Sequence, residues 1–171
     1  AALASLKGPR HGGANIKVVE MMQYLRNAVR DWKDDGQVKD QLVRILNREL
    51  GDGTGLIYGM GHAVYTLSDP RAEILKQFSR HLAEKRGMVD QLDFIESVER
   101  LAPQVFQEVR GIDKPICANV DLYSGFVYRL LGIPTDLYTA IFASARMAGW
   151  CAHRMEECCS DDPRIIRPAY K

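Results

Sequence analysis

The chain has 171 residues and a formal net charge of +1, with 46% apolar and 26% charged residues. This composition is typical of a globular domain, and the charge balance gives no support for a basic surface of the kind that nucleic-acid-binding proteins use. No apolar run approaches the roughly 20 residues of a membrane-spanning helix, and no signal-peptide core is visible. We therefore expect a cytoplasmic protein with no membrane and no nucleic-acid partner.

Apolar residues in the N-terminal part recur every three or four positions, which predicts two helices. The first begins at an N-cap, Asn15, and extends to about Trp32. The second ends at Gly51, because glycine commonly stops a helix. The glycine-rich segment that follows, as far as Gly61, is predicted to be an irregular loop or a short strand.

A third helix is predicted after the N-cap Asp69, with Pro70 in the first helical position and Gly87 as its end. Its buried face is expected to be a stripe of apolar residues that lie four positions apart. That stripe consists of Ile74, Phe78 and Leu82.

Three further helices complete the prediction. Pro103 interrupts the fourth helical stripe, so that helix is expected to kink or restart. The fifth extends from Asn119 to Leu131 and is closed by Gly132, and a long last helix covers about 137–158. Strand signals are scarce, and we expect an all-α fold.

The four histidines fall into two groups. His11 and His62 lie in glycine-rich loops, where a ligand can approach the backbone closely. His11 directly precedes a helix, whose positive end disfavours imidazolium and favours a neutral hydrogen-bond donor. His81 is expected on the polar surface, and His153 is expected to be buried with its hydrogen bonds satisfied.

Other polar residues suggest chemistry on a small polycarboxylate. Asp121 begins an apolar helix, and it is either a first-turn acid favoured by the helix dipole or a general base beside a ligand. Arg146 lies among apolar residues, where a guanidinium usually pairs with an anion. No cluster has metal-ligand spacing, so no metal is expected, and the four cysteines are interpreted as reduced thiols.

Three ordered motifs resemble those of the citrate synthase family. They are Gly8-Pro9-Arg10-His11-Gly12-Gly13-Ala14-Asn15, Gly59-Met60-Gly61-His62-Ala63-Val64-Tyr65 with Asp69-Pro70-Arg71, and Asn119-Val120-Asp121-Leu122-Tyr123-Ser124-Gly125. The resemblance covers nearly the whole chain but only the C-terminal part of the family. The chain departs from the family at Arg10, where leucine is common, and at Cys117-Ala118, where a proline-containing segment is more usual.

The resemblance implies a catalytic role for three residues. Asp121 would take a proton from the methyl group of acetyl-CoA, and His11 would hydrogen-bond the thioester oxygen and stabilise the enol. His62 would polarise the keto oxygen of oxaloacetate and donate to the developing alkoxide. A thioester α-C–H is a very weak acid, so a carboxylate can remove its proton only if the enol oxygen is stabilised at once.

The resemblance also implies substrate-binding residues. Arg71 and Arg146 would hold the carboxylates of oxaloacetate, with Arg167 reaching in from a second subunit, and Phe142 would pack near the acetyl group. The CoA adenine would lie along the segment formed by Leu56, Ile57, Tyr58, Gly59, Met60 and Gly61. Acetyl-CoA is then a substrate, and no cofactor is implied.

By the same resemblance, residues 1–10 end a large-domain segment, 11–132 form the small lid domain and 133–171 return to the large domain. The full-length enzyme would be a homodimer that acts in the tricarboxylic acid cycle, and the chain alone is expected to be inactive.

Two alternatives remain open. One is 2-methylcitrate synthase, which uses propionyl-CoA, since one methylene is worth only about 1–3 kcal/mol in a pocket. The other is a non-catalytic helical CoA-binding module.

Overall fold

The computed structural model describes Leu6 and residues 13–161, and the regular structure in this part of the chain is helical, as predicted. One 3₁₀ turn, Thr135–Leu137, precedes the last helix. The helices are α1 (Ala14–Ala28), α2 (Asp35–Leu46), α3 (Pro70–Arg86), α4 (Val89–Arg110), α5 (Val120–Leu130) and α6 (Tyr138–Cys158).

Helices α1 to α5 enclose one apolar core. Helix α3 packs mainly against α5, α2 against α4, and α1 against α5. The crossing of α1 and α5 is close, because a Cβ added to Gly125 would lie 2.8 Å from Val19 Cγ2 and 3.0 Å from the carbonyl oxygen of Asn15. Glycine therefore sets the distance between these two helices.

The first two helices are shorter than the sequence predicts. Helix α1 begins one residue before Asn15, which is buried within it, and it ends at Ala28 because Val29 adopts an extended conformation. Trp32 lies outside the helix and packs against the core through Phe94, with ring centroids 5.4 Å apart. Helix α2 ends before Gly51, because Arg48 already has a positive φ of 66°.

The start and end of α3 are as predicted, but its buried face is different. Asp69 caps the helix, Pro70 begins it, and Gly87 ends it with φ 64°. Ile74 and Phe78 are exposed, at 54% and 60%, so the predicted apolar stripe was wrong for these two residues, whereas Leu82 is partly buried against the core. The buried face consists of small residues, which allow α5 to approach closely: Ala72, Ser79 and Ala83.

Helix α4 continues through Pro103 without the predicted restart, from Val89 to Arg110. Helix α5 begins after Asn119 and is followed by Gly132 at φ 75°, as the sequence indicates.

Helix α6 differs from the others because only Tyr138 and Ala143 are buried. The Tyr138 hydroxyl donates to the carbonyl of Gly125 at 3.2 Å, and its ring packs edge-on against Tyr128. These contacts attach the start of α6 to α5. None of the helices in the described part combines the length and apolarity needed to cross a bilayer.

Candidate active site

An open cleft of about 660 Å³ lies where the loop after residue 60, the starts of α3 and α5 and the first half of α6 meet. Of the residues proposed from the sequence for catalysis or substrate binding, the structure brings six to this cleft: Gly61, His62, Arg71, Asp121, Phe142 and Arg146.

Two distant segments are joined beneath the cleft by backbone pairing. Met60 and Ala118 form an isolated antiparallel bridge, in which Gly61 N–H donates to Cys117 C=O at 2.8 Å and Asn119 N–H donates to Gly59 C=O at 2.8 Å. A Cβ on Gly59, at φ 84°, would lie 2.9 Å from Leu122 Cα, so the loop contacts α5 directly. This pairing brings the loop that carries His62 to the helix that carries Asp121.

The hydrogen bonds of His62 define its tautomer. Its Nδ1 accepts from the backbone N–H groups of Val64 and Tyr65, both at 2.9 Å. A ring nitrogen that accepts cannot carry the proton, so the neutral ring has its proton on Nε2. That nitrogen lies 3.2 Å from Arg71 Nη2. With the proton on Nε2, neither this nitrogen nor Arg71 Nη2 can accept from the other, so an oxygen placed before them would accept from both.

Arg71 is held by a buried carboxylate. Asp69, whose side chain has 0% exposure, accepts from Arg71 Nε at 3.0 Å and from Nη2 at 2.8 Å, and it also caps α3 through the Arg71 backbone N–H. These hydrogen bonds lower the pKa of Asp69 although burial opposes the shift. The same contacts raise the pKa of Arg71. The guanidinium is therefore oriented and always charged before any ligand binds.

Asp121 lies in the first turn of α5, where the positive end of the helix favours a carboxylate. Its backbone N–H donates to the Asn119 side-chain oxygen at 3.0 Å, so the residue is fixed by a helix cap. The Asn119 amide donates in turn to the carbonyl of Gly61 at 2.9 Å. The charge of Asp121 contributes to raising the pKa of Arg71 and, after burial, that of Tyr128.

Helix α6 contributes an aromatic ring and a guanidinium. The Arg146 guanidinium lies 5.5 Å from the ring centroid of Phe142, one turn earlier. Arg146 itself is exposed, so the sequence interpretation of a charge enclosed by apolar neighbours is only half right. Phe142 is the apolar neighbour that the structure places beside it.

The segment predicted to follow the CoA adenine has mixed surroundings. Only Gly61 of this segment lines the cleft, whereas Leu56 and Tyr58 line a separate small pocket next to α1. Ile57 is buried in the core. The Tyr58 hydroxyl donates to Asp52 Oδ2 at 2.7 Å.

Four further predicted residues remain. His11 and Arg167 lie outside the described residues. His81 is exposed, as expected. His153 is exposed and lies 3.2 Å from Glu156, so its predicted burial was wrong, because α6 has few packing partners in this part of the chain.

The sequence predicts Asp69 only as a cap and indicates no separate role for Asn119. The spacing Asp69-Pro70-Arg71 carries a usable signal, since a capping aspartate faces the second residue of its own helix. Within the described residues, no three His, Cys, Asp or Glu side chains are grouped so that they could hold a metal ion.

The chain is similar to known proteins over nearly its whole length. Residues 1–169 match the family model described as citrate synthase, C-terminal domain. A citrate synthase of Deinococcus radiodurans is 37% identical over 167 residues, and a 2-methylcitrate synthase of Shewanella oneidensis is 37% identical over 168 residues; each alignment covers 98% of this chain.

A solved citrate synthase of Thermoplasma acidophilum, in a ternary complex with carboxymethyl coenzyme A and oxaloacetate, has a TM-score of 0.72 and 32% identity over 99% of the chain. The chain spans 39% of the length of each of the two sequence relatives and 41% of the solved chain. The carboxymethyl coenzyme A and oxaloacetate of the solved complex are ligands of that longer protein.

Proposed function

Since the chain belongs to the citrate synthase family, we propose that its cleft serves the condensation of acetyl-CoA with oxaloacetate, as the C-terminal part of a longer enzyme. The observation that carries this proposal is one juxtaposition. His62, Arg71 and Asp121 line a single cleft although they come from three separate segments. A neutral donor, a charged donor and a carboxylate are the groups that enolisation and carbonyl addition need.

The proposed reaction begins with proton removal. Asp121 takes a proton from the acetyl methyl group, and His11 donates to the thioester oxygen, on which the enol forms. The methylene carbon then bonds to the keto carbon of oxaloacetate. The keto oxygen takes the proton from His62 Nε2 as the bond forms, which gives citryl-CoA. The proton that Asp121 gained is returned to His62 through solvent, so no net proton is gained or lost. Water hydrolyses the thioester to citrate and CoA.

The geometry of His62 supports its part in this reaction. A neutral Nε2–H beside the Arg71 guanidinium provides two donors where negative charge develops on oxygen, and donors fixed in advance need no reorganisation during the reaction. Two backbone N–H groups hold the ring in this tautomer. Arg71 and Arg146, with Arg167 from a second subunit, bind the substrate carboxylates in this proposal.

Two apolar contacts complete the proposed site. Phe142 packs near the acetyl group, and the segment from Leu56 to Gly61 follows the CoA adenine. The sparse burial of α6 supports a domain division near residue 132, with 11–132 as the lid and 133–171 as part of the large domain. A homodimer of the longer enzyme is part of the same proposal.

A chimera tests the function directly. This chain replaces the corresponding C-terminal segment of the Deinococcus radiodurans citrate synthase, and release of free CoA is followed with acetyl-CoA and oxaloacetate. We expect turnover that needs both substrates, whereas the 171-residue chain alone is expected to give none. A folded chimera without oxaloacetate-dependent CoA release would contradict the proposal. CoA binding to that inactive chimera, measured by calorimetry, would then favour the non-catalytic binding module.

The similarity to the 2-methylcitrate synthase of Shewanella oneidensis favours one alternative, in which propionyl-CoA is the substrate. A pocket discriminates one methylene by only about 1–3 kcal/mol. The ratio of kcat/KM for acetyl-CoA and propionyl-CoA in the same chimera separates the two activities. We expect the ratio to favour acetyl-CoA.

A further inference from the structure

Helices α3, α4 and α5 are joined by a polar cluster at the edge of the apolar core, formed by Lys76, Glu99 and Tyr123. One oxygen, Glu99 Oε2, accepts from the Tyr123 hydroxyl at 2.6 Å and from Lys76 Nζ at 2.7 Å. Lys76 Nζ also lies 5.9 Å from the centroid of the Tyr123 ring. Each helix contributes one side chain, and each side chain contacts the other two.

The hydroxyl of Tyr123 has no evident packing purpose. The residue is completely buried, and phenylalanine would bury the same ring without needing a partner. Burial and the neighbouring Glu99 raise the pKa of Tyr123 far above its ordinary value, so the hydroxyl keeps its proton and always donates. Burying a polar group of this kind costs desolvation free energy, but its hydrogen bond fixes the relative orientation of the joined side chains. A hydrogen bond has a preferred geometry, whereas apolar packing has little directional preference.

The cluster is close to the cleft along two helices. Tyr123 follows Asp121 by two positions in α5, which is about 3 Å of helix rise. Lys76 follows Arg71 by five positions in α3, about 7.5 Å. Glu99 on α4 therefore holds together the two helices whose first turns carry the proposed base and a proposed substrate-binding arginine. A shift of α5 against α3 would change the separation of these two groups.

We propose that Lys76, Glu99 and Tyr123 are positioning residues, which hold Asp121 in register with Arg71 for the reaction at the cleft. This inference rests on the proposed function for its kinetic consequence. Its structural part, the register of α5 against α3, can be measured without turnover.

The test uses Tyr123→Phe, which removes only the hydroxyl, and Lys76→Met at a partly exposed position as a second variant. Arg80→Gln is the matched control. Arg80 forms ion pairs with Asp93 and Glu96, so it also joins α3 to α4, and both of these partners lie on α4. All three substitutions are expected to lower the midpoint of urea unfolding.

Kinetics in the chimera separate positioning from stability. A 1 Å misplacement can cost about a hundredfold in rate, and loss of one of the two hydrogen bonds to Glu99 is expected to lower kcat about tenfold. KM for oxaloacetate should change less than about threefold, and Arg80→Gln should leave kcat within about twofold. If Tyr123→Phe and Lys76→Met lower the unfolding midpoint but leave kcat unchanged, the cluster is structural only and the proposal is wrong.

A second measurement distinguishes this proposal from failure of the proposed function. The backbone amide signals of Arg71 and Asp121 are compared by NMR in the 171-residue chain and in its variants. We expect Tyr123→Phe and Lys76→Met to shift both signals and Arg80→Gln to leave them in place. If the chimera is inactive but these shifts are observed, the proposed function is contradicted, whereas the role of the cluster in the register of α5 against α3 still holds. Signals that move only around position 123 would overturn the positioning role.

Discussion

The side-chain amide of Asn119 donates to the carbonyl of Gly61 at 2.9 Å. The other end of the same side chain accepts from the backbone N–H of Asp121 at 3.0 Å. One asparagine thus caps α5 and holds the loop that precedes His62. Both halves of the amide are used, so neither aspartate nor serine can replace it fully.

Asn119→Asp keeps the capping oxygen but removes the donor to Gly61. We expect the Gly61 amide to exchange with solvent about fivefold faster, because a hydrogen bond of this kind is worth about 1 kcal/mol. Amides in the middle of α4 should keep their exchange rates. Hydrogen exchange measured by NMR checks this, and equal acceleration throughout the chain would indicate general destabilisation instead.

Asp121→Asn in the chimera should abolish proton removal while oxaloacetate still binds. Loss of a general base typically costs about 10²–10⁴ in rate. The measurement is kcat for CoA release, together with calorimetric binding of oxaloacetate. Citrate formation at nearly the rate of the unsubstituted chimera would exclude Asp121 as the base.

Arg146→Leu should weaken oxaloacetate binding more than CoA binding. An unpaired substrate carboxylate costs about 2–5 kcal/mol, whereas the loss of Arg146 leaves the CoA segment unchanged. Arg154→Leu, an exposed arginine two turns further along α6, is the control and should change neither. Dissociation constants for both ligands decide the matter, and equal losses would indicate a role in folding.

Asp69→Asn should make stability less dependent on pH. Arg71 lowers the pKa of Asp69 in the folded chain. The charged carboxylate therefore stabilises the folded chain above the unfolded-state pKa of about 3.9, and this contribution is lost as the pH falls through the lowered folded-state pKa. Asparagine still caps a helix, so the variant mainly removes the charge. We expect a difference of about 1–3 kcal/mol at pH 7 that shrinks in acid. Urea unfolding from pH 7 to pH 2 tests this, and a constant difference would contradict it.

Replacing each of two helical glycines by alanine should change the stability of the chain in opposite directions. Gly125→Ala places a Cβ 2.8 Å from Val19 Cγ2 and should destabilise the chain by about 1–3 kcal/mol. In Gly149→Ala the nearest atom is 3.7 Å away, so the gain in helix propensity of about 0.5–1 kcal/mol should prevail. Thermal unfolding of both variants checks the signs. Destabilisation of equal size would show that the crossing of α1 and α5 is not what Gly125 permits.

Local signals in the sequence predicted most helix boundaries because caps and stops act within a few residues. Asp69 with Pro70 at the start of α3 and Gly132 after α5 are examples. The buried face of α3 was predicted wrongly, since Ala72 and Ala83 are too small to produce a strong apolar stripe, and close packing rather than hydrophobicity selects them. The spacing of apolar residues in the sequence reveals stripes of large side chains, but it does not reveal how closely a neighbouring helix packs.

The site shows the same limit. Glycine-rich loops and a helix-starting aspartate identified His62 and Asp121 separately. Their meeting in one cleft depends on the bridge between Met60 and Ala118, which no local pattern reveals. For the same reason the carboxylate of Asp69 beneath Arg71 was missed: its burial is produced by the surrounding fold.

The bridge also constrains the order in which the protein can fold during synthesis. Gly61 and Asn119 are separated by 58 positions. At about 5–20 residues per second, a ribosome needs about 3–12 s to extend the chain from the first to the second. Through that interval Ile57, which is buried in the finished core, lacks the α5 residues that belong to the same core. The cleft is thus completed only after most of the helices have been made, and we expect a nascent chain that stalls before α5 to be prone to aggregation.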